Sequence, residues 1–305
     1  EAMNFRLDAS YQLDANNSIG ANFGFLRNPK QTWNGDMSSL ILQDGDLSES
    51  SDSHADFFWQ KNNLSSNIYY VGKIGKLSID FNTDWLWSKE YQNDVTKEQY
   101  QEVGMNAQSQ TAHSLTNKDY HLLASKLVLS YPLLGGNLSL GGEYSNTHRT
   151  SKYQVVPTNL VSDDNSRITE SMTSSFLTYS RDFGNLSLEA GMRYEYIDFN
   201  YYEYGKYVPG QSKSYGNWFP SLSLSMPVGK VQMQLSYAAD INRPSYHNLR
   251  SGIQYDNRYT YETGNPFLVS QISRNLNYEL AYKWLTFEYQ VVPTNLVSDD
   301  NSRIT

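Results

Sequence analysis

The side chains that carry chemistry are scattered along this chain. Its five histidines are His54, His113, His121, His148 and His247. None has a partner at the spacing of a zinc ligand set, so no metal site is expected. No Gly-x-Ser-x-Gly elbow and no phosphate-binding loop occurs. The chain has no cysteine, which removes disulfides and thiolate chemistry. No catalytic set emerges, no cofactor is expected, and the chain does not read as an enzyme. Leu47–Asp56 lies in a stretch that collects Asp46, Glu49, Asp52 and Asp56. Oxygen-rich loops of this kind can hold calcium, but the spacing is not that of an EF-hand, and a solvated loop is the simpler reading. The run "YIDFNYYEYGKY" (Tyr196–Tyr207) offers Tyr201, Tyr202, Tyr204 and Tyr207 as candidate ligand-binding rings. An interfacial belt followed by an ordinary loop explains the same residues.

The elements that would position these residues are strands. Apolar residues recur at every second position in Met3–Leu13, Ile19–Phe25, Leu77–Trp87, Leu123–Tyr131, Leu138–Tyr144, Leu186–Tyr196, Val231–Ile241 and Ile272–Trp284. Such alternation marks strands with one apolar and one polar face. No stretch carries a helical stripe, and no run approaches eighteen apolar residues. The strands are long, and their connections alternate. Tight ones fall at Asp14–Asn17, Ile74–Lys76, Leu133–Asn137, Asp182–Asn185 and Pro227–Lys230. Long ones fall at Asn28–Asp56, Gln92–Asn117, Asn146–Ser171, Asp198–Lys213 and Arg243–Ser270. Short turns at one end and long loops at the other are the pattern of an antiparallel transmembrane β-barrel. About twelve strands are expected, with an extra hairpin near Met37–Leu47.

Composition fits that class. Tyrosine occurs 25 times and tryptophan 6 times in a chain of mean hydropathy −0.62. Such rings suit surfaces with one apolar and one wet side. Net charge is −8 and no Lys/Arg block appears, so no nucleic-acid partner is expected. A soluble sandwich would alternate in the same way. The mid-strand pairs Arg6/Asp8, Asp80/Asp84 and Arg193/Glu195 suit a wet lumen instead. Leu186, Leu188, Met192 and Tyr194 should then face lipid, with Arg193 and Glu195 inward. The opening Glu-Ala-Met-Asn runs straight into a strand pattern, so a leader was removed or the chain begins inside a larger protein.

Three stretches carry a resemblance: "GMRYEY" (Gly191–Tyr196), "WFPSLSLSM" (Trp218–Met226) and "INRPSYHNLRSGIQYDNRYTYETGNPFL" (Ile241–Leu268). In this order and spacing they resemble the barrel of TonB-dependent outer-membrane receptors, particularly the Bacteroidetes outer-membrane β-barrel family, most firmly over Lys118–Glu288. Arg193, Glu195, Arg243, Pro244, Gly264, Asn265 and Pro266 are the motif residues. Pro244 cannot donate to a ladder and suits a strand end, and Gly264-Asn265-Pro266 is turn chemistry. The resemblance implies a barrel of about twenty-two strands in the bacterial outer membrane, with an N-terminal plug and a TonB-binding segment. Neither is recognisable here, so the chain resembles an internal piece of such a barrel. It also implies outer-membrane lipid, TonB (through the absent N-terminal region) and a surface lipoprotein as partners, and uptake of a siderophore, glycan or peptide. A non-transporting barrel, an adhesin or a soluble glycan-binding β-domain is the alternative.

One feature has no place in that pattern. "YQVVPTNLVSDDNSRIT" occurs at Tyr153–Thr169 and again, letter for letter, at Tyr289–Thr305. A true repeat architecture shows an approximate period along the whole chain, and here the flanking residues differ. Residues 1–288 therefore read as partial barrel. Residues 289–305 read as a duplicate of 153–169, an artefact of assembly or a loop-like tail whose polar part should be poorly packed.

Overall fold

The computed structural model describes residues 2–291. Twelve strands follow one another in chain order around a single antiparallel sheet. They are β1 (Met3–Asp14), β2 (Asn17–Gln43), β3 (Asp46–Ile74), β4 (Leu77–Glu102), β5 (Gln108–Leu133), β6 (Gly136–Val156), β7 (Asp164–Phe183) and β8 (Leu186–Glu203), then β10 (Lys213–Val228), β11 (Val231–Asn242), β14 (Gln271–Tyr282) and β15 (Leu285–Val291). The short β9 (Lys206–Tyr207) pairs with β8. A separate hairpin of β12 (Ile253–Asn257) and β13 (Thr260–Thr263) lies between β11 and β14. Among the described residues, β1 pairs only with β2, and β15 only with β14.

The expected faces appear in the register. One row runs across six strands as Ile79, Leu129, Leu140, Leu177, Met192 and Pro220. Leu140, Leu177 and Met192 are 53%, 46% and 43% exposed, so this apolar row has no protein layer over it. Aromatic residues bracket it. Tyr131, Phe183 and Tyr282 stand exposed near the tight turns, and Trp85, Tyr196 and Trp218 stand exposed higher up. Leu186–Tyr196 covers roughly 33 Å along β8 at about 3.3 Å per residue. At the usual barrel tilt that is about 25 Å, the height of a lipid-facing band.

All five expected tight turns are present. Gly184 is one reason, since its φ of +63° is costly for any residue with a Cβ. Apart from Arg243–Ser270, which is a long connection carrying one small hairpin, the expected long loops are largely strands. Asn28–Asp56 is the upper part of the β2–β3 hairpin, closed by a turn at Asp44-Gly45, and Gln92–Asn117 is the upper part of β4 and β5. The expected extra hairpin near Met37–Leu47 is the tip of β2–β3. These segments lack an apolar face because they rise above the band. The ladder continues on backbone hydrogen bonds, which need no alternation.

One further expectation is corrected at the far end. Trp284 lies not in a strand but in the turn between β14 and β15. β15 runs on from the partial-barrel segment into the second copy of the repeat. It carries the first three residues of the second copy, with Val291 paired to Leu276. Tyr289 is 60% exposed on that strand, whereas its counterpart Tyr153 is 4% exposed. The polar part of the second copy, Ser298–Arg303, lies outside the described residues.

The packed core is not in the band. It sits on the inner face at the upper end, where the segment between β11 and β14 folds back against the wall. One cluster joins Ile168, Ile197, Phe199, Tyr201 and Leu249, and another joins Ala112, Tyr153, Val155 and Tyr255.

Candidate ligand-binding site

The segment Arg243–Ser270 acts as a strap across the inner face, and wall carboxylates hold it there. Arg243 leaves β11 beside Pro244 and pairs with Glu195 of β8, whose side chain is 2% exposed. Arg193 flanks the same carboxylate at 3.5 Å. Tyr246 Oη donates to Glu170 Oε1 at 2.9 Å. Farther across, Tyr255 Oη donates to Glu98 Oε2 at 2.5 Å, and the Arg258 backbone N–H donates to Glu98 Oε1 at 2.7 Å. The Arg258 guanidinium pairs with Glu49 Oε1 at 3.0 Å. Tyr153 Oη receives the backbone N–H of Tyr255 at 2.9 Å and lies 3.0 Å from Ser114 Oγ. A carboxylate receiving several donors in a dry place makes strong hydrogen bonds, so the strap is positioned and not merely draped.

The motif residues shape its return. The Asn265 N–H donates to the Asn248 carbonyl at 2.7 Å. A Cβ on Gly264 would come within 2.5 Å of Asn248 O and 2.9 Å of Arg250 N. Both are backbone atoms, so only glycine lets the two legs of the strap approach. The Phe267 N–H donates to Asn265 Oδ1 at 2.9 Å across Pro266, which closes the turn. Lys213 Nζ then donates to the Leu268 carbonyl at 2.6 Å.

Between strap and wall lies a cavity of about 430 Å³. β2 and β3 supply Trp33 and Phe57, a cross-strand pair stacked with centroids 4.7 Å apart. β4 supplies Asp94, β5 supplies Lys118, and the strap supplies Asp256 and Glu262. Lys118 Nζ is already paired with Glu90 at 2.8 Å. Glu262 is held by His247 at 2.9 Å and Arg250 at 3.1 Å. Asp94 Oδ2 accepts from Gln92 at 2.8 Å, while Asp94 Oδ1 is buried without a hydrogen-bond partner. Burial pushes the Asp94 carboxyl up to about 6. The Asp256 carboxyl is also raised, first by burial and then by the charge of Glu262. Among the described residues, no group of three metal-ligating side chains is placed to hold a metal ion.

The four candidate tyrosines do not converge on this cavity. Tyr201 is fully buried, with Oη 2.8 Å from Ser251 Oγ, and belongs to the core under the strap. Tyr202 points to the opposite face of β8, beneath the Arg167 guanidinium at 4.0 Å and edge-on to Tyr207 at 5.6 Å. Tyr204, at φ +47°, donates to the Asp163 carbonyl at the rim. The motif residues do meet, since Arg193, Glu195 and Arg243 form one ion-pair group.

The cavity residues escaped the sequence reading for a definable reason. An irregularity between Asn28 and Gln31 adds one residue to β2, and a β-bulge of this kind reverses which face later residues occupy. Phe23 and Phe25 face outward, yet the equally odd-numbered Trp33 faces the cavity.

A sheet of neighbour-paired strands with a bare apolar band, two aromatic belts and a polar inner face is a membrane wall. The sequence model of the outer membrane protein beta-barrel family matches residues 72–303. The chain belongs to that family. This barrel-family chain is accordingly an outer-membrane protein built to cross the bilayer with strands. No curated protein matches the sequence. Among solved structures, the alcaligin outer-membrane receptor FauA from Bordetella pertussis is similar at 12% identity and TM-score 0.43, over 96% of this chain and 49% of that one. The siderophore receptor PirA from Pseudomonas aeruginosa is similar at 12% identity and TM-score 0.41, over 92% and 52%. The ferric citrate transporter FecA in its unliganded form is similar at 10% identity and TM-score 0.44, over 92% and 49%. The barrel-family chain thus spans about half the length of the structures it matches.

Proposed function

We propose that this chain is part of the wall of a larger outer-membrane transporter, of about twenty-two strands when complete, that binds a scarce nutrient and takes it up with energy delivered by TonB. The observation that carries the reading is the cavity between strap and wall at the outer end of the lumen. A barrel needs no strap to close. Four wall carboxylates spent on holding one make sense if the strap builds a pocket. Pockets of about 300–1,000 Å³ with aromatic walls and a few placed polar groups are the usual form of small-molecule sites.

The outer sides of β1 and β15, without a partner strand among the described residues, support the larger barrel. Each unsatisfied backbone group in hydrocarbon costs several kcal/mol, so further strands belong beside them. Dependence on TonB and pairing with a surface lipoprotein follow from the resemblance of the motifs. Binding and uptake, not turnover, is the activity proposed. The test is accumulation of nutrient by cells that make the full-length parent. It should require an energised membrane and TonB. It should fall when the strap is deleted, while the barrel still reaches the outer membrane. Accumulation indifferent to loss of TonB would overturn the reading.

A further inference from the structure

We infer that the cavity between strap and wall takes the cationic head of an organic ligand, a primary ammonium or guanidinium, whose apolar body lies on the Trp33–Phe57 stack. The inference rests on the uptake reading for its purpose and sharpens it to a ligand class.

Charge is the first ground. The cations at the cavity are all engaged, Lys118 with Glu90 at 2.8 Å and both His247 and Arg250 with Glu262 at 2.9 and 3.1 Å. The Asp36 carboxylate is likewise engaged, by His54 at 2.6 Å. Asp94 and Asp256 are left over, with no ion pair among the described residues, and Asp94 keeps one oxygen buried and unpartnered. They come from opposite sides of the cavity, one from the wall and one from the strap. At Asp94 the charge of Asp256 opposes ionisation, and the charge of Lys118 favours it more strongly. A cation seated between the two carboxylates would favour the ionised form of both.

The second ground is the aromatic wall. Trp33 is 68% exposed although it is stacked on Phe57 and lies on the inner face. A ring left open beside two carboxylates offers its negative face to a cation or its flat surface to an apolar body. An anionic ligand would meet repulsion here. A neutral sugar would use the ring but gain nothing from the second carboxylate.

The experiment uses the purified full-length parent in detergent micelles. Its probes are three isosteres of different charge: phenethylamine, 2-phenylethanol and phenylacetate. At neutral pH the amine should bind at least about tenfold more tightly than the alcohol, a factor worth about 1.4 kcal/mol, with phenylacetate weakest. Asp94→Asn and Asp256→Asn should each remove most of the amine's advantage and leave the alcohol unchanged. Trp33→Ala should weaken all the probes that bind. Heat-modifiable migration on gels confirms that each variant is folded. Equal affinity for amine and alcohol, or no amine binding by the folded protein, overturns the inference. Amine selectivity without TonB-dependent accumulation in cells would instead overturn the uptake reading alone. Accumulation without amine selectivity would overturn only this one.

Discussion

Glu98 is a carboxylate with 1% of its surface exposed, and its two oxygens are satisfied by a phenol and a backbone amide of the strap. Hydrogen bonds to a charged group contribute about 1.5–3 kcal/mol, so Tyr255→Phe should release the β12–β13 hairpin while sparing the wall. Trypsin should then cut after Arg250 and Arg258 at least several-fold faster, with heat-modifiable migration unchanged. Unchanged cleavage would mean that Glu98 does not hold the strap. Asp94 invites a different measurement. Burial holds its carboxyl up at about 6, so it is neutral below that pH and charged above it. An alkylammonium stays protonated throughout, as its pKa lies near 10. Phenethylamine affinity should therefore rise as pH passes upward through about 6 and level off above it. The titratable groups that share the cavity with Asp94 are Asp36 on β2, Lys118 on β5, Tyr153 on β6, and His247, Tyr255, Asp256 and Glu262 on the strap. In Asp94→Asn the step at about 6 should vanish. Its persistence would assign the titration to one of the neighbours.

Strands make their own predictions, because adjacent residues on one strand meet different solvents. Leu177 faces outward in the bare apolar row, and Thr178 faces the lumen beside Gly191. Arginine at mid-depth on the lipid face costs roughly 2–4 kcal/mol. Leu177→Arg should therefore lower the urea midpoint of unfolding in lipid vesicles far more than Thr178→Arg. Equal losses would reverse the assignment of faces. This level of structure was legible in the sequence because lipid imposes period two on every strand it touches. Leu138–Tyr144 and Leu186–Tyr196 read correctly for that reason. Above the band that constraint ends. Gln92–Asn117 alternates weakly and looked like loop, yet it pairs residue by residue. The site was lost with it. Trp33 lies beyond the irregularity after Asn28, and Asp94 and Asp256 lie in segments read as connections. The motif residues Arg243 and Gly264 were visible, but which wall residue each would meet depends on how the strap crosses the lumen. No local pattern encodes that crossing.

At the scale of the whole molecule, the wall and the strap are different kinds of object. Every wall strand pairs with the next wall strand along the chain, and apart from β11–β14, which closes across the strap, the ladders close across short connections that add little loop entropy. The strap joins residues far apart. Tyr255 meets Glu98 across 157 positions, and Asn257 approaches Met37 across 220. Contacts of such separation are slow to form, and these also require the wall to be curved before they exist. Refolding into vesicles should therefore show two phases. Heat-modifiable migration should appear first, and protection of Arg250 and Arg258 from trypsin should follow. Tyr255→Phe should leave the first phase alone and impair the second. Simultaneous appearance of both signals would mean that strap and wall condense together. If the order holds, assembly has a built-in sequence in which the pore wall is finished before its binding chamber. On the uptake function proposed above, a barrel still being inserted would then be unable to capture cargo, and only a completed one would be competent to load.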